Sequence, residues 1–294
     1  MTKPLRVLIA LGNHGLAADE DSGQQPPEPF EIRFRRNVGR PLPGDLVTVD
    51  EDGLVSSILE RDNVFGRGTN RGRFQPIAAN LETLLIVIAP EPAPSVDLLH
   101  RYVAAAHIHG VRPVVIVNKS DLPVPDAPPF THLAEMDVQV FRTRCDGAIF
   151  LDGLEPLLSR GIHLLAGQSG VGKSSLANAL LPDLSLQTDK LSRSTGKGRH
   201  TTTSARLLHL PGGGWLVDTP GVWEYGLWQM PVTELERGLP EFAAVAGSCR
   251  FRNCTHDHEP GCRVRAAVAE GEIPESRYEA WLSLLSEQQR LGSA

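Results

Sequence analysis

The feature that most limits how this chain can fold is a glycine-rich segment set between an apolar run and a helical pattern. It is Gly167-Gln168-Ser169-Gly170-Val171-Gly172-Lys173-Ser174, which fits G-x-x-x-x-G-K-[ST] in full. Residues 162–166 form the apolar run before it, and residues 173–181 have the spacing of a helix after it. A strand, a glycine loop and a helix in this order indicate a phosphate-binding loop in an α/β domain.

The residue types of this segment suit phosphate binding. Glycines let the backbone come close to a phosphate, so that N–H groups and the helix N-terminus face the anion. We expect Lys173 to neutralise the β- and γ-phosphates and to contribute to catalysis, and the Ser174 hydroxyl to ligate Mg²⁺. Ser175 follows in the helix and completes the predicted set. The alternative, a glycine-rich turn with a chance lysine, is disfavoured by the flanking strand and helix.

Strands and helices alternate on both sides of the phosphate loop. Residues 84–89 and 114–117 are apolar runs typical of buried strands, and residues 96–109 between them have helical spacing. Residues 215–218 form a further apolar run. This alternation predicts an α/β domain with a parallel sheet and crossover helices.

A second motif, Asn118-Lys119-Ser120-Asp121, comes directly after the strand 114–117. A carboxylate at Asp121 can accept hydrogen bonds from guanine N1–H and the exocyclic amine, and adenine offers neither donor there. Leaving the carboxylate unpaired would discriminate by roughly 10²-fold or more. We expect Asn118 to brace the loop and the Lys119 stem to cover the base. A surface turn is the alternative, but ligands of open α/β sheets bind at this end of the strands.

A third motif, Asp218-Thr219-Pro220-Gly221, ends the strand 215–218. We expect Asp218 to hold Mg²⁺ through water and the Gly221 N–H to contact the γ-phosphate. Gly198-Arg199-His200-Thr201-Thr202-Thr203 lies between this motif and the phosphate loop. One of its threonines is the natural second Mg²⁺ ligand, and we favour Thr202 over its neighbours.

The order of these motifs is unusual. In a standard GTPase the N-K-x-D motif follows the phosphate loop and D-x-x-G, whereas here it precedes both. The elements keep their cyclic order but the chain opens elsewhere, which is tolerable because domain termini usually lie at the surface and often close together. The sequence therefore predicts a circular permutation.

Cysteine and histidine cluster near the C-terminus. Cys249, Cys254, His256 and Cys262 lie within 14 residues, and three of the chain's four cysteines are among them. Three thiolates and an imidazole suit one closed, structural tetrahedral Zn²⁺ site, because soft thiolates select zinc over Mg²⁺ or Ca²⁺. His258 is an alternative to His256, and chance clustering is the alternative to a metal site. Cys145 stands apart and is expected in the core.

Short alternating runs broken by turn residues precede the α/β region, at residues 5–9, 31–35, 46–49 and 54–59. They predict a small antiparallel barrel, with the polar, proline-rich insert 22–29 as a mobile loop. From about residue 232 the chain is helical and charged. We therefore expect a barrel over 1–76, a permuted α/β domain over 77–231 and a helical metal-binding domain over 232–294.

The composition and the lengths of the apolar runs exclude several classes of protein. With 41% hydrophobic residues, 22% charged residues and a net charge of −6, the chain is of globular type and lacks an overall basic coat. Its apolar runs are too short for a membrane span, and residues 7–11 are too short for a signal-peptide core. The few, crowded cysteines do not form a disulfide framework. These features predict a cytoplasmic protein without a membrane partner, and nothing requires more than a monomer.

Together, the barrel region, the permuted order of motifs and the Cys/His cluster resemble the RsgA (YjeQ) family of bacterial GTPases that depend on the small ribosomal subunit. The resemblance covers nearly the whole chain. It implies an OB-fold barrel, a circularly permuted GTPase domain and a helical zinc domain. It also implies that the protein binds the small subunit and its rRNA late in maturation, with GTP hydrolysis stimulated there. The chain departs from the family at 142–147, where a second base-contacting loop is expected, so that contact is not assigned.

The residues after D-x-x-G offer no side chain that could orient the catalytic water. Val222 occupies the position of the glutamine that orients water in Ras-like enzymes, and Trp223 follows. We expect slow intrinsic hydrolysis, and His200 is our candidate for positioning water. A histidine that only packs or contacts RNA is an equal alternative.

Three groups of arginines are candidate RNA contacts, and solvated surface arginines are the alternative for each. They are Arg33, Arg35, Arg36 and Arg40 with Phe34; Arg67, Arg71 and Arg73; and Arg250, Arg252, Arg263 and Arg265. Three functions compete: a GTP-hydrolysing assembly factor on rRNA, a GTP-sensing RNA-binding module with little turnover, and a nucleotide kinase or ATPase. The residues 118–121 argue against the last.

Overall fold

The computed structural model of the protein describes residues 4–19, 26–36, 38–69, 71–145, 149–181, 205–219 and 226–292. Of the insert 22–29 only residues 26–29 are among them, so the prediction of a mobile loop falls mostly outside the described residues.

Five short strands at the N-terminus close into a barrel. They are β1 (Leu5–Leu11), β2 (His14–Asp19), β3 (Phe30–Phe34), β4 (Leu46–Val49) and β5 (Leu54–Ile58). Each pairs with two others in the ring β1–β2–β3–β5–β4–β1. Fully buried apolar side chains from all five strands fill the interior: Val7, Ala17, Ile32, Val47 and Val55. The barrel predicted for this region is therefore present.

Two details of the barrel differ from the prediction. The barrel is not wholly antiparallel, since β3 and β5 pair in parallel. This follows from the pairing of β4 with β1, which leaves the return strand β5 beside β3 in the same direction. The predicted runs also do not include β2. Gly15 lies within that strand, and a Cβ there would meet the Ile9 carbonyl oxygen at 2.3 Å, so glycine serves a close strand approach.

The α/β region carries a parallel sheet with the order β10–β9–β8–β11–β13, extended by an antiparallel strand β12. The strands are β8 (Thr83–Ile88), β9 (Arg112–Val117), β10 (Gln139–Arg142), β11 (Ile162–Ala166), β12 (Arg206–His209) and β13 (Trp215–Asp218). The apolar strands are buried on both faces, as the predicted parallel sheet requires. Neither β10 nor β12 shows a periodic pattern in the sequence.

The described residues of this region form three helices: α1 (Val96–Ile108), α2 (Glu155–Leu158) and α3 (Lys173–Leu180). Ser95 caps α1, and its side chain accepts a hydrogen bond from the Leu98 N–H at 3.3 Å. Helix α1 buries Leu99, Tyr102 and Val103 against the sheet, as its spacing predicted. A short 3₁₀ turn covers Thr131–Glu135.

A hairpin links the barrel to the α/β region. Its strands, β6 (Val64–Gly68) and β7 (Phe74–Ala79), form a sheet of their own. The ring of His109, after α1, stacks on Trp228 with centroids 4.9 Å apart, and Phe74 lies 4.7 Å from Trp228. These ring contacts fix the hairpin against the end of α1.

The C-terminal part is helical, as predicted. It contains α4 (Val232–Leu235), a 3₁₀ turn (Glu236–Gly238), α5 (Pro240–Ala246), α6 (Arg263–Ala269) and α7 (Glu275–Gly292). Helix α7 buries Trp281 and packs along α1, where Arg101 pairs with Glu287. At the 3₁₀ turn, a Cβ on Gly238 would lie 2.9 Å from the Ala104 side chain, so the backbone approaches α1 closely. Among the described helices, none combines the length and apolar character that crossing a bilayer needs.

Candidate functional site

The loop between β11 and α3 is built on glycines that no other residue could replace without strain. Gly167, Gly170 and Gly172 have φ angles of 138°, 82° and 96°. A Cβ on Gly167 would meet the Val87 carbonyl oxygen at 2.2 Å, and one on Gly172 would meet Asn118 Nδ2 at 2.2 Å. The loop is therefore pressed against the ends of β8 and β9. Its remaining members, Gln168, Ser169 and Val171, lie on the path between these glycines.

Lys173 opens α3 with its side chain turned back over the loop. Its Nζ donates hydrogen bonds to the carbonyl oxygens of Gly167 at 2.7 Å and Gln168 at 2.5 Å. Burial lowers the pKa of Lys173 to about 8. Ser174 and Ser175 are exposed on the first turn of α3. A cationic group with three donors thus lies inside the loop, with two hydroxyls next to it.

Asn118 joins the two predicted nucleotide motifs. It is buried at the end of β9, and its Nδ2 donates to the Val171 carbonyl oxygen at 2.9 Å. Its Oδ1 accepts a hydrogen bond from the Thr143 hydroxyl at 3.0 Å, and Thr143 is itself fully buried. The Ser120 N–H donates to the Thr143 carbonyl oxygen at 3.1 Å. One amide side chain therefore sets the distance between the glycine loop, the 118–121 motif and the loop after β10.

The rest of the 118–121 motif lies at the surface beside the glycine loop. Lys119 has a φ of 57°, and its Nζ donates to the Glu91 carbonyl oxygen at 2.7 Å. The Lys119 stem is half-buried along this path, and Asp121 is exposed. The loop after β8 also reaches the glycine loop, since the Ser95 N–H donates to Gln168 Oε1 at 3.4 Å. The motif and the glycine loop thus border one open face.

Asp218 ends β13, which neighbours β11, so its carboxyl end lies at the same sheet edge as the glycine loop. Its carboxylate is partly exposed and pairs with Arg206, whose Nη2 lies 2.7 Å from Oδ2. Gly221, Val222, Trp223 and the whole segment 198–203, with His200 and Thr202, lie outside the described residues. So do residues 146–148 in the loop for which no base contact was assigned.

The four residues predicted to share a metal ion lie together. One ligand atom from each of Cys249, Cys254, His256 and Cys262 falls within 4.8 Å of the others. His256 is 2% exposed, and its Nδ1 lies 3.6 Å from Cys249 Sγ and 3.5 Å from Cys262 Sγ. His258 points away and is 81% exposed, which favours His256 between the two alternatives. The cluster can hold one metal ion.

Burial and neighbouring groups shift the pKa values of the residues in the cluster. Although burial raises it, the N–H groups of Arg263 and Val264 keep the pKa of the Cys249 thiol below its ordinary value. Burial raises the pKa of Cys254 to about 12. Although burial lowers it, Glu236 and the neighbouring thiols raise the pKa of His256 to about 9. Glu236 Oε1 lies 3.1 Å from His256 Nε2, the arrangement of a carboxylate that orients a ligating histidine.

Comparison with known proteins decides the family. Residues 58–228, more than half of the chain, match the family model described as RsgA GTPase. The chain belongs to the RsgA GTPase family. It is 35% identical over 297 residues to the small ribosomal subunit biogenesis GTPase RsgA of Pseudomonas fluorescens, covering 96% of this chain and 86% of that protein. It is 42% identical over 258 residues to the RsgA of Chromohalobacter salexigens, covering 84% and 75%.

Solved structures agree with the RsgA GTPase assignment. YjeQ from Thermotoga maritima superposes with a TM-score of 0.77 at 28% identity, covering 98% of this chain and 99% of that one. YloQ, a circularly permuted GTPase, gives 0.73 at 26% identity, covering 99% and 96%. The predicted fold class is therefore confirmed: a circularly permuted GTPase domain, an N-terminal OB-like barrel and a C-terminal helical domain with a Cys₃His cluster.

Sequence reasoning missed four residues that shape these sites: Thr143, Glu91, Arg206 and Glu236. Thr143 and Arg206 lie just after β10 and on β12, the strands that gave no periodic signal. Glu91 contributes only its carbonyl oxygen, which no residue pattern reveals. Glu236 lies 20 residues before His256 and meets it through the tertiary fold alone.

Proposed function

We propose that this protein hydrolyses GTP to GDP and phosphate, and that it binds the small ribosomal subunit and assists its late maturation, with turnover stimulated there. One observation carries the nucleotide assignment: the Asn118–Val171 hydrogen bond joins a guanine-reading motif to a phosphate loop across the sheet edge. The subunit assignment is supported by family membership and by relatives named small ribosomal subunit biogenesis GTPase.

The proposed nucleotide contacts follow the two loops. Phosphates bind the backbone and side chains of the glycine loop, and Asp121 reads the guanine edge with Asn118, Lys119 and Ser120 around it. The full set for GTP is Asn118, Lys119, Ser120, Asp121, Gly167, Gln168, Ser169, Gly170, Val171, Gly172, Lys173, Ser174, Ser175, Asp218 and Gly221. When nucleotide binds, Lys173 replaces its hydrogen bonds to two loop carbonyls with contacts to the phosphates. The negative charge of the phosphates favours the ammonium form of Lys173.

The oxygen donors of the proposed magnesium site suit Mg²⁺. Ser174 offers a hydroxyl, Asp218 a partly exposed carboxylate, and Thr202 is the third proposed ligand. Such hard oxygen ligands, with retained waters and phosphate oxygens, suit Mg²⁺. When bound with GTP, the ion neutralises charge between the β- and γ-phosphates.

Zinc fits the Cys₃His cluster. Three sulfurs and one imidazole nitrogen already lie within 4.8 Å of one another, and backbone N–H groups lie 3.3 Å from Cys249 Sγ and 3.5 Å from Cys262 Sγ. Soft thiolates favour Zn²⁺, and four protein ligands leave no open position for substrate. We therefore assign this ion a structural role.

Proposed rRNA contacts use exposed arginines of the barrel, the hairpin and the metal-binding region. Arg33, Arg35, Arg36, Arg40, Arg71 and Arg73 are exposed, as are Arg250, Arg252 and Arg265. Arg263 contributes less, because it pairs with both Glu270 and Glu272 at 2.7 Å. Phe34, which the sequence grouped with the barrel arginines, is buried and cannot stack on a base; Phe30, 40% exposed, is an available ring of the barrel.

His200 is our proposed water-positioning residue, because Val222 cannot orient water. Replacing it with alanine should leave the affinity for GTP intact and lower subunit-stimulated turnover by roughly 10²-fold, the low end for a lost acid–base group. Single-turnover hydrolysis with and without small subunits measures this. An unchanged stimulated rate would remove the assignment.

The proposed organisation is a barrel over 1–76, a GTPase domain over 77–231 and a zinc domain over 232–294, with β7 spanning the first boundary. We propose a monomer, because no motif of the sequence requires a second copy of the chain. Cytoplasmic location is proposed from the ribosomal role of the relatives.

A turnover assay with GTP and ATP, each with and without small ribosomal subunits, tests the proposal. We expect GTP hydrolysis that is slow alone and faster with subunits. Preference for ATP would contradict the assignment of Asp121. Binding of GTP without stimulated hydrolysis would instead favour a GTP-sensing RNA-binding module, which the missing glutamine keeps as the second candidate.

A further inference from the structure

Arg206 contacts the edge of the nucleotide site although no motif includes it. Its Nε donates to Oδ2 of Asp218 at 2.8 Å, and its Nη2 donates to the same oxygen at 2.7 Å. Among the described residues, no hydrogen bond reaches the other oxygen, Oδ1. The guanidinium therefore holds one carboxylate oxygen with two donors and leaves the second oxygen open.

The pair is set by strand register. Arg206 lies directly opposite Asp218 in the antiparallel β12–β13 pair. The Arg206 side chain is 15% exposed and that of Asp218 is 41% exposed, so the cation is mostly enclosed and the carboxylate faces out. An enclosed, two-donor contact restricts the rotation of the carboxylate far more than an exposed ion pair does.

Arg206 also lies where the barrel joins the GTPase sheet. Its backbone is the register partner of Ile9 in β1, the one pairing between β1 and β12. Ile9 is buried, so β1 and β12 are packed together at this point. A single residue thus contacts the carboxylate through its side chain and the barrel through its main chain.

We propose that Arg206 is a positioning residue: it fixes Asp218 so that Oδ1 faces the magnesium of the bound nucleotide, and it couples that carboxylate to barrel strand β1. The inference rests on the proposed function. Outer groups that orient a metal-binding carboxylate typically account for 10- to 100-fold in metal affinity. The opposite role, a cation that competes with the metal for Asp218, predicts tighter metal binding once the arginine is removed.

The first test measures Mg²⁺ dependence in Arg206→Ala, Arg206→Lys and a matched control, Arg112→Ala. Arg112 forms another ion pair of the same sheet, with Glu82 at 3.7 Å, at the strand ends opposite the nucleotide. Binding of a fluorescent nonhydrolysable GTP analogue is titrated with Mg²⁺ and, separately, followed in EDTA. We expect Arg206→Ala to raise the half-saturating Mg²⁺ concentration about 10- to 100-fold, with affinity in EDTA unchanged.

Lysine should restore part of the effect, because it supplies the charge but a single donor group in place of the planar fork. Arg112→Ala should match the wild type. An unchanged or lowered half-saturating Mg²⁺ concentration in Arg206→Ala would overturn the inference while the proposed function stands. Failure of the wild type to bind the analogue in either medium would overturn the proposed function itself.

The second test measures coupling to the barrel by hydrogen exchange of the β1 amides, residues 5–11. Adding Mg²⁺ to the analogue complex should slow their exchange in the wild type and in Arg112→Ala. Arg206→Ala should lose that difference at Mg²⁺ concentrations that saturate it. Retention of the full difference in Arg206→Ala would refute the coupling.

Discussion

The nucleotide site and the metal centre of this chain are assembled in opposite ways. Asn118, Lys173 and Asp218 are far apart in sequence and meet because parallel strands end at one edge of a sheet. The metal ligands lie between 249 and 262, in a segment without helix or strand. The nucleotide site is held by buried strands and by glycine backbone, whereas the metal-binding segment is held by its ligands and by side chains of α7 that hydrogen-bond to its backbone.

Because the two sites are built differently, nucleotide and metal contribute differently to the stability of the fold. The phosphate loop is already formed by contacts such as Asn118 Nδ2 with the Val171 carbonyl, so nucleotide adds stability only by mass action, about 2.7 kcal/mol at 100 times Kd. A structural zinc site contributes folding free energy outright, about 10–16 kcal/mol in small zinc peptides. We therefore expect the protein to stay folded without nucleotide, and we expect its C-terminal region to unfold when the metal is removed.

The largest expected effect is that of breaking the cluster. Cys254→Ser should disorder the 249–262 segment, because one buried ligand is lost, and without a tightly held metal burial disfavours the remaining thiolates. Helix α7 should loosen with it, since the Trp281 Nε1 donates to the Thr255 carbonyl at 2.9 Å and the Tyr278 hydroxyl to the His256 carbonyl at 2.9 Å. Trp fluorescence, helix content and zinc per chain measure the loss.

Cys145→Ser is the matched control, because Cys145 lies outside the cluster. It should retain one zinc per chain and the wild-type fluorescence. If Cys254→Ser kept its metal, its helix content and the Trp281 environment, the contrast between the two sites would be broken.

A smaller effect is expected at the base-reading residue. Asp121→Ala should weaken GTP binding by roughly 10²-fold, because two donors of the guanine edge lose their acceptor. Thermal stability without nucleotide should stay at the wild-type value, since Asp121 is exposed and the loop is held by Asn118 and Thr143. Equilibrium binding of GTP and ATP by calorimetry measures both affinities.

Asp126→Ala removes an exposed carboxylate from the same loop and serves as the control. Its GTP affinity should equal that of the wild type. Equal losses in the two variants would mean that general charge, and not a guanine contact, accounts for the change.

The two regions also differed in what the sequence could predict. The glycine loop, the strands 162–166 and 215–218 and the metal cluster each carry a local signal, and the structure has these elements where the patterns put them. The permuted fold could be predicted because the order of the motifs is visible in the sequence, and the solved structures confirm it. A cluster of cysteines can be read without any knowledge of topology.

Contacts made by short strands and by the backbone were beyond sequence reasoning. Strand β12 has two apolar residues between two polar ones, which is neither an alternating nor a continuous apolar run, so Arg206 could not be placed opposite Asp218. Thr143 looks like any loop threonine until β9 and β10 are paired and Asn118 comes within 3.0 Å. Glu236 likewise reaches His256 only through the packing of the C-terminal helices. Partners that orient a functional group are set by tertiary geometry, and motifs do not contain them.

The smallest expected effect sharpens the contrast at the phosphate loop. Burial lowers the pKa of Lys173 to about 8 in the nucleotide-free protein, and bound phosphates should raise it again. Below pH 8 the ammonium is present in both states and affinity for GDP should be flat with pH. Above pH 8 the free protein loses the proton that the complex retains, so affinity should fall by up to about tenfold per pH unit. Lys173→Arg keeps its charge at every pH used and should show no such fall. Calorimetric titration of GDP from pH 7 to pH 9.5 compares the two slopes, and parallel slopes would show that Lys173 is not the titrating group.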